Sequence, residues 1–175
     1  MATFRRFYRG YGAVLRAFGI VAELATFVMM VLVVANIIGR YLFNHPVTGT
    51  LEITESLLVL IIFLSVAMTQ YDGGHIRVTI LTRRLPRKLA KAATVFAMLC
   101  GAAFFAWCSY AAWRFAVQSW SFNEHEWGTV VFPLYPMKFV VFIGIAMLAF
   151  QFLLDAIAET FMHIKADDEH AMENL

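Results

Sequence analysis

The sequence predicts an all-α integral membrane protein of four transmembrane helices, with both termini on the cytoplasmic side. Three observations carry that prediction. Of the 175 residues 61% are hydrophobic and only 15% charged, whereas a soluble domain is nearer half apolar and a quarter charged. The apolar residues fall in four separate stretches of about bilayer length. The basic residues are sorted between alternate connecting loops.

A hydrocarbon core of about 30 Å needs roughly 20 apolar residues of helix to cross it, and every backbone group inside it must bond within its own helix. The first stretch, 17–39, is broken only by Glu23 and Asn36. It is longer than a secretory signal's apolar region of about 7–15 residues, and no small-x-small cleavage site follows, so it reads as a retained helix. The second, 53–71, is uncharged from Ser56 to Tyr71. The third has no charge from Ala92 to Trp113, within a helix expected over about 88–115. The fourth, about 137–158, is apolar from Met137 to Leu154, with Lys138 able to snorkel at its end. One membrane domain, 17–158, is thus expected between a basic N-terminal segment, 1–16, and a polar tail, 159–175.

Local signals mark the boundaries. Asn44, His45, Pro46 and Gly49 form a turn signal after the first helix, and Thr50 is a candidate N-cap for the second. Asp72, Gly73 and Gly74 stop the second helix, while Pro86 and Pro136 stand where helices start. Orientation follows from the positive-inside rule. Eleven of the fourteen basic residues lie at the N-terminus, in the middle loop or at the C-terminus, leaving Arg40, Arg114 and Lys138 for the other side. Trp107, Trp113, Trp120, Trp127, Tyr41, Tyr110 and Tyr135 fall toward that other side as an aromatic belt. In the middle loop, Ile76, Ile80, Leu81 and Leu85 recur at helical spacing against Arg77, Arg83 and Arg84. This is the pattern of a short amphipathic interfacial segment between the second and third helices, its basic residues, with Arg87 and Lys88, meeting lipid headgroups. An ordinary basic loop is the alternative.

Several function classes find no support in the residues. A net charge of +2 without a basic stripe argues against a nucleic-acid partner. His45, His75, His125, His163 and His170 lie in loops or the tail, so none is placed as an axial haem ligand. Cys100 and Cys108 are about 12 Å apart along one helix, beyond the roughly 4.4–6.8 Å of a disulfide. His125 between Glu124 and Glu126 is a weak metal signal, since adjacent loop residues seldom converge on one ion. Glu23, the one candidate for a deep ionisable residue, is expected two turns into its helix. No catalytic constellation is recognised, and neither an enzyme nor a cofactor is expected.

Polar groups near the membrane are more informative, because each is costly without a partner. Asn36 and Arg40 share a face at the outer end of the first helix, and Glu52 and Glu55 share one at the start of the second. A short loop joins the two helices, so these groups meet at similar depth. They form either an ion pair closing the hairpin or a contact to another protein. Gly101, Ala102, Ala103 and Ala106 on the third helix permit close helix approach, within the chain or to a partner.

The order of the motifs carries a resemblance. Arg40-Tyr41-Leu42-Phe43-Asn44-His45-Pro46 is followed by Thr50-Leu51-Glu52, Phe63-Leu64, Gly74-His75-Ile76-Arg77-Val78, Leu85-Pro86 and Phe132-Pro133-Leu134-Tyr135-Pro136. Over roughly residues 16–158 this resembles the small, DctQ-like membrane subunit of tripartite ATP-independent periplasmic (TRAP) transporters. Thr79 stands where many members carry Asp. The resemblance implies a partner subunit of about twelve helices that holds the substrate and ion sites, and a periplasmic binding protein that delivers an organic acid. It implies a static scaffold role for this chain in a bacterial inner membrane, driven as a symporter by an ion gradient. Partner or interhelix polar contacts would fall to Asn36, Arg40, Glu52, Glu55 and His75. Two other classes share the topology: a four-helix membrane enzyme of the glutathione-transferase type, and an autonomous small transporter.

Overall fold

A computed structural model describes residues 2–72, 86–128 and 130–161. Helix α1 runs Ala2–Leu42, α2 Thr50–Tyr71, α3 Arg87–Ser121 and α4 Tyr135–Phe161. Each is long and apolar enough to cross a membrane. Among the described residues the protein is therefore all-α apart from two short strands, β1 (His125–Trp127) and β2 (Val131–Pro133), which pair antiparallel between α3 and α4. One end of the molecule holds the 43–49 connection and the strand pair, and is called the loop end below. The terminal end holds the start of α1, the end of α2 and the end of α4.

The helices exceed the apolar stretches that announce them. α1 begins at Ala2 rather than near residue 17. Its first turns carry Tyr8, Tyr11, Gly12 and Leu15 on one side, at helical spacing. That side packs on the other helices: Leu15 is fully buried with Ala67 of α2 and Leu148 of α4. Tertiary packing extends the helix beyond its apolar stretch, because an amphipathic face gains more from burial than from intrinsic propensity. α3 likewise continues six residues past the expected 115, and Trp120 in that extension meets Tyr135 edge-on with ring centroids 5.1 Å apart.

Packing runs α1 on α2, α2 on α4, and α4 on α3. The helices therefore form a row, with α1 and α3 at its two edges and α4 in the interior. Between α3 and α4 the contact is aromatic: Phe105 stacks on Phe152 at 5.5 Å, and Trp113 meets Phe139 and Phe142. α1 reaches α4 near the terminal end, where the Tyr11 hydroxyl donates to the Met147 carbonyl at 2.7 Å. The edges expose large apolar side chains such as Ile20 (65%), Phe104 (63%) and Trp107 (76%). In water that surface would aggregate. In a bilayer it is the expected lipid- or protein-facing surface.

The amphipathic segment expected at 76–85 lies outside the described residues, as do His75, Arg77, Arg83 and Arg84. Arg87 and Lys88 open α3, one residue after its N-cap Pro86.

Candidate functional site

The loop end holds most of the polar residues singled out from the sequence, and separates them. Asn36 closes the α1–α2 connection: its side-chain oxygen accepts from the Val47 N–H at 3.0 Å. Thr50 is not the N-cap of α2. That place belongs to Gly49, in the left-handed region with φ 79°, and the Thr50 hydroxyl donates back to the Val47 carbonyl at 2.7 Å. A residue with a β-carbon is strained at that φ, so glycine is the suitable cap here.

No ion pair joins Arg40 to Glu52 or Glu55. Arg40 is exposed, its guanidinium 5.0 Å from the centroid of its neighbour Tyr41. Glu55 is exposed, whereas Glu52, three residues earlier, is 2% exposed. The reason is topological. α2 lies between α1 and α4, and Glu52 turns away from α1 toward the connection between α3 and α4. There its Oε1 accepts from the Val130 N–H at 3.4 Å. Gly128 lies against the same carboxylate so closely that an added β-carbon would overlap Glu52 Oε1. Glu52 also sits in the first turn of α2, where the helix dipole favours its negative charge.

A second tie holds this connection. Glu124 pairs with Lys138 of α4, and the ammonium lies 3.9 Å from the centroid of the Phe115 ring. Lys138 thus makes an ion pair and a cation–π contact, where the sequence suggested only snorkelling. Its hydrogen bond holds the Glu124 carboxyl below the usual carboxylate range, with a smaller contribution from Ser119. The Leu134 N–H donates to the Glu124 carbonyl at 3.1 Å, closing the base of the strand pair. The segment around His125 is therefore a braced β-ribbon.

The terminal end contains a polar cluster that the sequence reading missed. Asp155 of α4 is 3% exposed. One carboxylate oxygen accepts from Gln151 Nε2 at 2.9 Å and from the Tyr8 hydroxyl at 3.1 Å; the other accepts from Gln70 Nε2 at 2.8 Å. Gln151 Nε2 also lies 3.3 Å from the Tyr8 oxygen. Three helices thus converge on one carboxylate, and Tyr8 stacks on Tyr71 with centroids 5.1 Å apart. The amide oxygens of Gln70 and Gln151 take no partner among the described residues. One signal was available. Gln151 and Asp155 are four apart on an apolar helix, the spacing of a shared face, but Asp155 lies just past the stretch that ended at Leu154.

Four lipid-compatible helices with their two polar clusters at opposite ends are the architecture of a membrane component rather than of a soluble catalyst. Comparison with protein families agrees. The family profile described as tripartite ATP-independent periplasmic transporters, DctQ component, matches residues 29–161. The chain belongs to this family. It is the small membrane subunit of a TRAP transporter, a multi-pass inner-membrane protein that works with a large membrane subunit and a binding protein. The family is one of transporter components, not of enzymes. No curated protein matches the chain. The matched span begins inside α1 and ends at the last described residue of α4, so it takes in both the braced ribbon and Gln70, Gln151 and Asp155 of the buried cluster.

Proposed function

We propose that this subunit is the static scaffold of a TRAP transporter for organic acids, against which the large subunit moves its transport domain in an ion-gradient-driven symport cycle. The observation that supports the reading most directly is the open row of helices, in a chain of the DctQ family. A row leaves its edge helices α1 and α3 with broad apolar faces, suited to extending the footprint of a larger membrane protein in the bilayer. The polar clusters at its two ends keep the row rigid.

In this reading both termini lie in the cytoplasm and the loop end faces the periplasm, as the distribution of basic residues favours. The exposed Arg40 and Glu55 are then the loop-end charges available to the periplasmic binding protein or the large subunit, while Asn36 and Glu52 serve contacts within the chain. His75 would meet a partner on the cytoplasmic side. Arg77, Arg83, Arg84, Arg87 and Lys88 would meet anionic lipid headgroups on that side.

The test is co-expression with the large subunit, followed by affinity purification through a tag on this chain and reconstitution into liposomes. The scaffold reading expects the large subunit to co-purify, and expects uptake only when both subunits and the binding protein are present. Uptake by this chain alone would overturn it.

A further inference from the structure

Glu23 is the residue whose position the structure changes most. It was expected two turns into the first helix, but α1 begins at Ala2, so Glu23 lies nearly six turns in. α2 serves as a depth gauge. Leu15 packs with Ala67 of α2. Glu23 is about 12 Å further along α1 than Leu15, and Ala67 is about 6 Å inside the terminal end of α2. Glu23 therefore stands about 18 Å from that end of a helix about 33 Å long, near the middle of the bilayer.

Its side chain is exposed and makes no hydrogen bond or ion pair with any described residue. Leu15, Ala22 and Ala25 are buried, and Gly19, one turn before Glu23, lies near Met68 of α2, so Glu23 stands at the flank of the α2 contact with its side chain on the exposed side. Around it that face is apolar, with Ile20 65% and Phe27 59% exposed. Arg16, two turns toward the terminal end, shares the face but is about 10 Å away along the axis, too far to pair. A carboxylate facing lipid at this depth is costly and needs a partner. The comparison with α3 is instructive. Its exposed Arg114 lies only seven residues from the helix end at Ser121, and a long arginine side chain reaches the interface from there. A glutamate at mid-depth has no such escape.

We propose that the Arg16–Ile20–Glu23–Phe27 face of α1 is the edge of the row that docks on the large membrane subunit, where Glu23 meets a basic side chain of a facing helix. This rests on the scaffold reading and deepens it by selecting α1, rather than α3, as the docking edge. Charge complementarity is the argument: in lipid, apolar packing is nearly indifferent to the neighbour, whereas a buried charge is not.

The experiment co-expresses Glu23→Gln, Glu23→Leu and Glu23→Lys variants with the large subunit, and places a photo-crosslinking residue at Ile20, Phe27 or, as the opposite edge, Phe104. Thermal unfolding of each variant alone in detergent controls for folding, and should be unchanged because Glu23 makes no internal contact. Loss of one interhelical polar contact weakens association about three- to eighteen-fold. Glu23→Leu should therefore reduce recovery of the large subunit by that factor, Glu23→Lys by more, and Glu23→Gln by less. Crosslinks to the large subunit should arise from Ile20 and Phe27 and not from Phe104. If the parent complex is recovered but Glu23→Leu leaves recovery unchanged and crosslinks arise only from Phe104, the inference is wrong and the scaffold reading stands. A crosslinked product of two copies of this chain from Ile20 or Phe27 also overturns it, in favour of self-association. Failure of the parent chain to recover the large subunit removes the scaffold reading itself.

Discussion

The buried carboxylate at the terminal end offers the most exacting test of how the row is held together. Asp155 accepts hydrogen bonds from Gln70 of α2 and Tyr8 of α1, so two of its bonds cross between helices, while the bond from Gln151 stays within α4. Interhelical hydrogen bonds in membrane proteins average about 0.6 kcal/mol and reach about 1.7 kcal/mol. Two of them give about 1–3 kcal/mol for Asp155→Ala. The value falls toward the upper part of that range because the acceptor is 3% exposed and three donors lose it together. The informative measurement is a double-mutant cycle of Asp155→Ala and Gln70→Ala, with reversible unfolding followed in mixed micelles. The single variants should be non-additive by about 0.6–1.7 kcal/mol, since the second substitution removes a bond already lost. A coupling within about 0.3 kcal/mol of zero would refute the idea that this bond joins α2 to α4.

Other expectations follow from single contacts. Gly144 of α4 lies against the backbone of Phe63 in α2, where an added β-carbon would overlap the carbonyl oxygen. Gly144→Ala should therefore destabilise the α2–α4 contact by about 1–3 kcal/mol, read as a lowered unfolding midpoint in detergent. At the loop end, Glu52→Leu removes the acceptor of the Val130 N–H. Loss of about 1 kcal/mol there should raise the rate of protease cleavage between residues 123 and 134 about fivefold, and Gly128→Val should act in the same direction. Because the Glu124 carboxyl is held below its usual range by Lys138, its contribution is present at neutral pH and above, and is lost as pH falls through the lowered folded-state value. The ribbon should accordingly become more protease-sensitive under strong acid, and Lys138→Met should weaken that pH dependence, leaving the smaller part due to Ser119.

How much of this was legible in advance differs from residue to residue. Gly101 illustrates the limit. Its lack of a side chain signalled a close approach, and the structure seats Phe152 of α4 against it, with Ala102 buried beside it. Yet Ala103 and Ala106, in the same small-residue run, are exposed. Spacing alone could not divide the run, because it does not say which neighbour occupies which side. Glu52 and Glu55 show the same limit for charge. Their spacing put them near one face, and the loop to α1 is short, so pairing with Arg40 was a sound expectation. No such pair forms: the ribbon between α3 and α4, distant in sequence, takes up Glu52, while Arg40 and Glu55 stay exposed, which leaves the alternative expectation, contact to another protein, open to them.

The sequence by itself determined that four helices cross the membrane, and the order of its motifs carried the DctQ resemblance. The first of these depends on the cost of moving each successive segment into hydrocarbon, and that cost is written along the chain. Only the tertiary structure decided that α4 lies inside the row and α1 at its edge. It alone turned Glu52 toward the ribbon, and it alone joined Tyr8, Gln70, Gln151 and Asp155. The physical reason is that lipid tails are as apolar as leucine. An apolar helix face therefore does not record whether it meets lipid or another helix, and the choice falls to close packing and a few polar contacts between residues far apart in the chain.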